Sequence, residues 1–132
     1  MGFTGGCLCG AVRYECSADP AGIVYCHCRN CQIASGGAFS SNVMVPPDSV
    51  TITSGELTTY QDTGESGNTV SREFCGACGS ALLSRPEGAL VVKAGSLDDP
   101  SGLQAMMSIW EDSAQPWALK SEGVPTFAKN PG

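Results

Sequence analysis

Eight cysteines in 132 residues constrain this chain more than any other feature, because seven of them stand two or three positions from another. The pairs are Cys7-Leu-Cys9, Cys26-His-Cys28 with Cys31 close behind, and Cys75-Gly-Ala-Cys78. Thiols this close bridge each other poorly, yet their sulfurs can converge on one ion at about 2.3 Å. A disulfide framework needs an oxidising compartment. The N-terminus, Met1-Gly-Phe-Thr-Gly-Gly, shows no charged segment leading into an apolar one, so a reducing, cytoplasmic setting is expected. A thioredoxin-like role for Cys75 and Cys78 needs a βαβ context. The flanks Val70-Ser-Arg-Glu-Phe74 and Ser80-Ala-Leu-Leu83 read instead as two strands around a turn. Metal binding is the reading the spacing supports.

The cysteines then sort into unequal groups. Cys7-x-Cys9-Gly10 and Cys75-x2-Cys78-Gly79 each have the form of a tight knuckle closed by a glycine that tolerates positive φ. Together they offer four thiolates, the ligand set of a closed, structural zinc site. Cys26, Cys28 and Cys31 offer only three, with no second knuckle to complete them. Three protein ligands and an open position are the arrangement of a catalytic zinc. Cys16 is left over. It follows Tyr14 by two positions and shares its strand face, as a buried core thiol.

Composition narrows the fold. Seventeen glycines and 8 prolines favour turns and short strands over long helices, while 42% apolar residues are enough for a core. The pattern predicts strands over Ala11–Cys16, Gly22–Cys26, Ala38–Val45, Val50–Thr53, Leu57–Gln61, Thr69–Phe74, Ser80–Ser84, Leu90–Ala94 and Ala105–Ile109. The turns between them include Thr63-Gly64 with Ser66-Gly67-Asn68, and Arg85-Pro86-Glu87-Gly88. Arg29 to Ser35 are expected to make one or two helical turns that present Cys31, and Ser121 to Gly132 an extended arm over the body. A single mainly β domain over residues 1–132 follows. Seven Lys and Arg against 13 Asp and Glu give a charge of -6, with no basic stripe, so nucleic acid is not an expected partner. No apolar run is long enough to span a membrane.

Several residues around the cysteines invite a role. On an extended segment His27 points away from Cys26 and Cys28, which leaves a pocket-wall or general-base role open to it. Arg29, inside the three-cysteine loop, is either solvated, a donor to a thiolate, or a contact for a substrate carboxylate. Gly36 and Gly37 leave room for a ligand backbone, and Phe39 offers an apolar wall. Trp110 and Trp117 are expected to cover the core edge, and Asp98 and Asp99 to cap an Asx turn before Pro100.

These stretches resemble the glutathione-dependent formaldehyde-activating enzyme (GFA) family, whose relatives include centromere protein V. The resemblance is carried by Gly5-Gly-Cys-Leu-Cys-Gly-Ala-Val-Arg-Tyr14, Cys26-His-Cys-Arg-Asn-Cys-Gln-Ile-Ala-Ser-Gly36, Phe74-Cys-Gly-Ala-Cys-Gly-Ser80 and Ala94-Gly-Ser-Leu-Asp-Asp-Pro100, with Trp117 and Pro125-Thr-Phe127 in the tail. It implies a β-tent of curled antiparallel sheets pinned by a structural zinc. Cys7, Cys9, Cys75 and Cys78 match the structural ligands, and Cys26, Cys28 and Cys31 the catalytic ones. The implied activity is that of a carbon–sulfur lyase joining glutathione and formaldehyde as S-hydroxymethylglutathione. Ile33 stands where members often carry a basic residue.

The chemistry agrees with such a substrate pair. Three thiolates around Zn²⁺ leave a net negative centre that is poorly suited to making hydroxide and better suited to a thiol, which loses its proton on coordination. A bound thiolate attacks a small aldehyde while the metal, Arg29 or backbone N–H groups stabilise the oxyanion. The competing reading is a non-catalytic zinc-binding module for another protein, its three-cysteine segment empty or completed by His27 or Cys16. What fills the fourth position distinguishes the two.

Overall fold

Short apolar runs broken by glycine and proline turns can bury themselves only by pairing edge to edge, and among the described residues they do so in ten strands. The computed structural model describes residues 2–63, 67–120 and 122–131. The strands are β1 (Phe3–Gly6), β2 (Arg13–Cys16), β3 (Ile23–Cys26), β4 (Ser40–Val45), β5 (Val50–Ser54), β6 (Leu57–Thr63), β7 (Thr69–Cys75), β8 (Ala81–Pro86), β9 (Leu90–Lys93) and β10 (Ala105–Ile109), with one helix, α1 (Arg29–Ser35). They form a three-stranded sheet, β1-β2-β5, and a seven-stranded sheet, β10-β3-β4-β9-β8-β7-β6. Val12, Tyr14, Val43, Leu82, Leu83, Leu90 and Val92 are buried in one core. Cys16 belongs to it, its sulfur 3.5 Å from Ser49 Oγ.

The fold is mainly β as expected, with four departures. The larger sheet is mixed, because β10 joins β3 in parallel. Strand β1 has no apolar alternation to announce it, being half glycine, yet it pairs with β2 from Phe3↔Cys16 to Gly6↔Arg13. Glycine is needed there: a Cβ on Gly5 would stand 2.3 Å from the Tyr14 hydroxyl and from the Ser96 carbonyl oxygen. Arg85 and Pro86, read as a turn, are the last residues of β8. The ladder to β9 covers only Leu83 and Ser84, so the missing Pro86 donor breaks nothing on that side. Finally, Ala11 and Val12 belong to the first cysteine knuckle, where Cys7 N–H donates to Val12 O, and β2 starts after them.

Of the predicted 63–68 turn, residues 64–66 lie outside the described residues, as do Ser121 and Gly132 of the expected arm. The described part of the arm runs along β10. Ser108 N–H donates to Pro125 O at 3.0 Å and Phe127 N–H to Ser108 O at 2.9 Å. Asp99 caps an Asx turn, accepting from the Ser101 N–H and hydroxyl. Asp98 does not. Its carboxylate grips the Arg13 guanidinium and the Thr4 hydroxyl, tying β1 and β2 to the turn after β9. No helix among the described residues is long and apolar enough to cross a membrane.

Candidate metal centres and the cavity beside them

Each cysteine knuckle is built by local backbone bonds. Gly10 N–H donates to Cys7 O and Gly79 N–H to Cys75 O, with both glycines near φ +80°. The β7–β8 register and the β1–β2 pairing then carry the two knuckles to one place. The sulfurs of Cys7, Cys9, Cys75 and Cys78 lie within 4.8 Å of one another. Cys7 and Cys9 are 3.6 Å apart, and Cys9 and Cys75 3.8 Å. Four thiolates placed tetrahedrally about 2.3 Å from one ion are separated by about 3.8 Å. The group therefore fits a metal ion with little rearrangement, and all eight cysteines are free of disulfides.

Backbone donors prepare this group for a cation. The Val12 N–H, 3.2 Å from Cys7 Sγ, holds the Cys7 thiol below its usual range. The Ser80 hydroxyl and N–H, with the Cys9 N–H, bring Cys78 down to about 5. Cys9 is drawn down by the Ala11 N–H but pushed up to about 11 by the protons it shares with Cys7 and Cys78.

The second group grows from the end of β3 and the start of α1. Cys26 closes the strand, and Cys28 caps the helix by accepting the Cys31 N–H at 3.3 Å. Their three sulfurs also lie within 4.8 Å of one another, and among the described residues no fourth histidine, cysteine or carboxylate joins them. The protons are shared unequally. The neighbouring Cys26 and Cys28 thiols, the Ser40 hydroxyl and the field of Lys93 hold Cys31 well below its usual range, while Cys26 is raised by Cys28, Cys31 and burial. A group that keeps a thiolate in a buried place favours a cation.

His27 and Cys16 do not complete it. His27 is 2% exposed, and its Nε2 lies 3.1 Å from Ser108 Oγ and 3.2 Å from Glu111 Oε2. Its ring packs 5.0 Å from that of Phe39. Arg29 is exposed and donates to Gln32 Oε1 at 3.3 Å. Trp110 is buried against Cys26 and Cys31, held at φ +58° by its N–H to Lys129 O and its indole N–H to Asn130 Oδ1. Trp117, expected at the core edge, is instead 67% exposed.

A cavity of about 510 Å³ opens beside the three-cysteine group. Phe39 comes to it from the segment between α1 and β4, Ser40 and Ser41 from β4, Tyr60 from β6, Arg72 and Phe74 from β7, Leu83 from β8 and Lys93 from β9. Three of these residues, Ser40, Arg72 and Lys93, are near enough to Cys31 to interact with it electrostatically. Phe39 is among the residues that line the cavity. Gly36 serves as the left-handed cap of α1, and Gly37 N–H bonds Ser35 Oγ.

The sequence profile of the glutathione-dependent formaldehyde-activating enzymes matches residues 2–113. The chain belongs to this family. A crystal structure of a Rhodobacter sphaeroides protein superposes with a TM-score of 0.59, covering 94% of this chain and 98% of that one at 19% identity, which speaks for the fold alone. No curated protein matches the sequence. In this GFA-family chain the cations beside the three-cysteine group are Arg72 and Lys93, neither of which the cysteine motifs point to. The one trace of them is Lys93 itself, a charge ending the fully buried run Leu90–Val92. Arg72 is paired, its Nε 2.9 Å from Asp62 Oδ2, and Asp62 in turn accepts from Asn30 of α1. Burial works against the charge on Arg72, but the bond to Asp62 and the nearby Cys31 thiolate raise its pKa all the same.

Proposed function

We propose that this chain is a zinc-dependent carbon–sulfur lyase-type enzyme that forms or cleaves thiol–aldehyde adducts, with glutathione as the thiol and formaldehyde or a similar small aldehyde as its partner. One observation carries the reading: a three-sulfur group with no fourth protein ligand among the described residues stands beside a cavity lined by two cations and three aromatic rings. Cys7, Cys9, Cys75 and Cys78 would hold a structural zinc, and Cys26, Cys28 and Cys31 a catalytic one. Bound there, zinc would supply the charge that ionises a thiol at neutral pH.

The protein's own groups supply the rest. The cavity is of a size to enclose a tripeptide-sized ligand, and Phe39, Phe74 and Leu83 give it dry walls. The chain is acidic overall, so an anionic thiol is weakly repelled at a distance. Screening beyond about 8–10 Å confines that to a rate effect, and Arg72 and Lys93 reverse the field at close range. His27 holds the ligand loop against β10, its N–H donating to Ile109 O at 3.0 Å and its ring nitrogen facing Ser108. Gln32 adds to that hold, its side-chain amide donating to the carbonyls of His27 and Ser113. The binding-module reading has the three-cysteine segment empty or completed by His27 or Cys16; neither residue stands with the three sulfurs, and the thiol titration below separates the empty form from the enzyme.

Two measurements test this. Metal analysis of freshly reduced protein should find between one and two zinc ions per chain, with any shortfall at the three-cysteine group, whose neighbouring thiolates oxidise readily. No zinc, with the thiols paired as disulfides, would contradict both centres. Titration of the zinc-loaded protein with glutathione, and separately with uncharged 2-mercaptoethanol, should add a fourth sulfur in zinc-edge spectra. If neither thiol does so and a protein nitrogen or Cys16 sulfur is already bound, the enzyme reading fails.

A further inference from the structure

Lys93 is the one cation of this cavity without a carboxylate partner. The ion pairs among the described residues are Arg13–Asp98, His27–Glu111, Arg72–Asp62, Arg85–Glu73 and Lys120–Glu111. Lys93 instead donates to a neutral oxygen, Asn42 Oδ1, at 2.7 Å. That contact is not a chance orientation. The Asn42 amide nitrogen is committed to Val24 O, Ser40 O and Ser40 Oγ, at 3.1, 3.3 and 2.8 Å, so its oxygen must face the ammonium. The register places Asn42 directly opposite Lys93, and Ser40 opposite Cys26. Ser40 thus stands between the three-cysteine group and Asn42, and a short path runs from that group past Ser40 and Asn42 to the ammonium.

The arrangement fixes a cation without neutralising it. An ammonium has three N–H donors, and Asn42 takes one. The remaining two belong to a side chain that lines the cavity. Such a preorganised, partly desolvated donor beside a reacting centre is what an oxyanion requires. Burial lowers the pKa of Lys93, against the pull of the Cys31 thiolate, so it gives up a proton more readily than a solvated lysine.

We propose that Lys93 is a catalytic residue of this site, donating an ammonium N–H to the oxygen of the carbonyl substrate as the carbon–sulfur bond forms. The inference rests on the thiol–aldehyde reading. In the step, the thiolate electron pair forms the C–S bond and the C=O π pair moves onto oxygen. Lys93 passes one proton to that oxygen, giving the hydroxyalkyl thioether. The neutral amine then recovers the proton released when the next thiol ionises. Cleavage runs the same transfers backwards.

The test compares the zinc-loaded wild-type protein with Lys93→Met. Turnover of glutathione with formaldehyde should fall about 100-fold in kcat, the order seen when one oxyanion donor is removed. Zinc content and the fourth-sulfur signal with glutathione should stay as in the wild type. A second readout needs no turnover: mercaptoacetate carries a carboxylate group on the carbon that bears its sulfur, and ethanethiol does not. The wild type should bind mercaptoacetate at least tenfold more tightly, and Lys93→Met should lose that preference. Lys93→Gln, which keeps a neutral donor of similar reach, serves for both readouts should the methionine variant fail to fold. Wild-type turnover matched by the variant, or an undiminished preference for mercaptoacetate, overturns the role of Lys93 alone. A wild type that binds thiols but converts no small aldehyde overturns the thiol–aldehyde reading and Lys93's role with it.

Discussion

Cys75→Ser should cost this domain most of its stability. Cys75 is 2% exposed, sits at the end of β7, and packs in the main core, while its sulfur lies 3.8 Å from that of Cys9. The four-cysteine group ties β1 and β2 to the β7–β8 turn, a link made otherwise by the Leu8 N–H to Ser80 Oγ bond at 3.0 Å. Metal bound at a closed thiolate site contributes directly to folding, on the order of 10 kcal/mol in small zinc domains. Whole domains are stable by only about 5–15 kcal/mol. Loss of one ligand in four is therefore expected to remove about 3 kcal/mol or more, lowering Tm by about 10 °C or more. Because Cys75 is also a core side chain, Cys9→Ser is the decisive companion. Cys9 is exposed and fills no core space, so a similar fall in Tm assigns the loss to the metal. Thermal melts with zinc analysis read both variants, and an unchanged melt for Cys9→Ser would contradict the structural role.

Cys28→Ser should do the opposite, sparing the fold and abolishing the chemistry. Cys28 caps α1 by accepting the Cys31 N–H, and serine is among the best residues for that position. The helix should therefore keep its start, and Tm should move by less than about 4 °C, roughly 1 kcal/mol for a domain of this size. The three-sulfur group, however, loses a third of its thiolates. Zinc content should drop by the occupancy of that centre, and thiol–aldehyde turnover should fall at least about 100-fold, the scale on which a missing electrostatic group acts. Circular dichroism, metal analysis and turnover together decide it. A variant that melts as early as Cys75→Ser would contradict the division of the two groups into a structural and a reactive one.

Much of this was legible because cysteine chemistry is local. Cys7-x-Cys9, Cys75-x2-Cys78 and Cys26-x-Cys28-x2-Cys31 bring sulfurs together through a few backbone dihedrals, whatever the rest of the chain does. Their closing glycines, near φ +80°, follow from the same short geometry. Most strands were legible too, since alternation and turn residues act over a handful of positions. Strand β1 was not, because glycine carries no side-chain pattern, and it forms where Gly5 alone fits against Tyr14 and Ser96.

Where the positive charge falls was beyond the sequence. Arg29 stands within the cysteine motif, yet the first turn of α1 carries it outward to Gln32 and solvent. Arg72 and Lys93 lie far along the chain, and nothing near them hints at cysteines. They reach the three-sulfur group because β4 pairs with β9 in one particular register, Asn42 opposite Lys93, and because Asp62 on β6 anchors both Arg72 and Asn30 of α1. Local spacing determined which sulfurs could share an ion. Strand order and register, set by burying Val43, Leu83 and Val92 together, decided which cations face them.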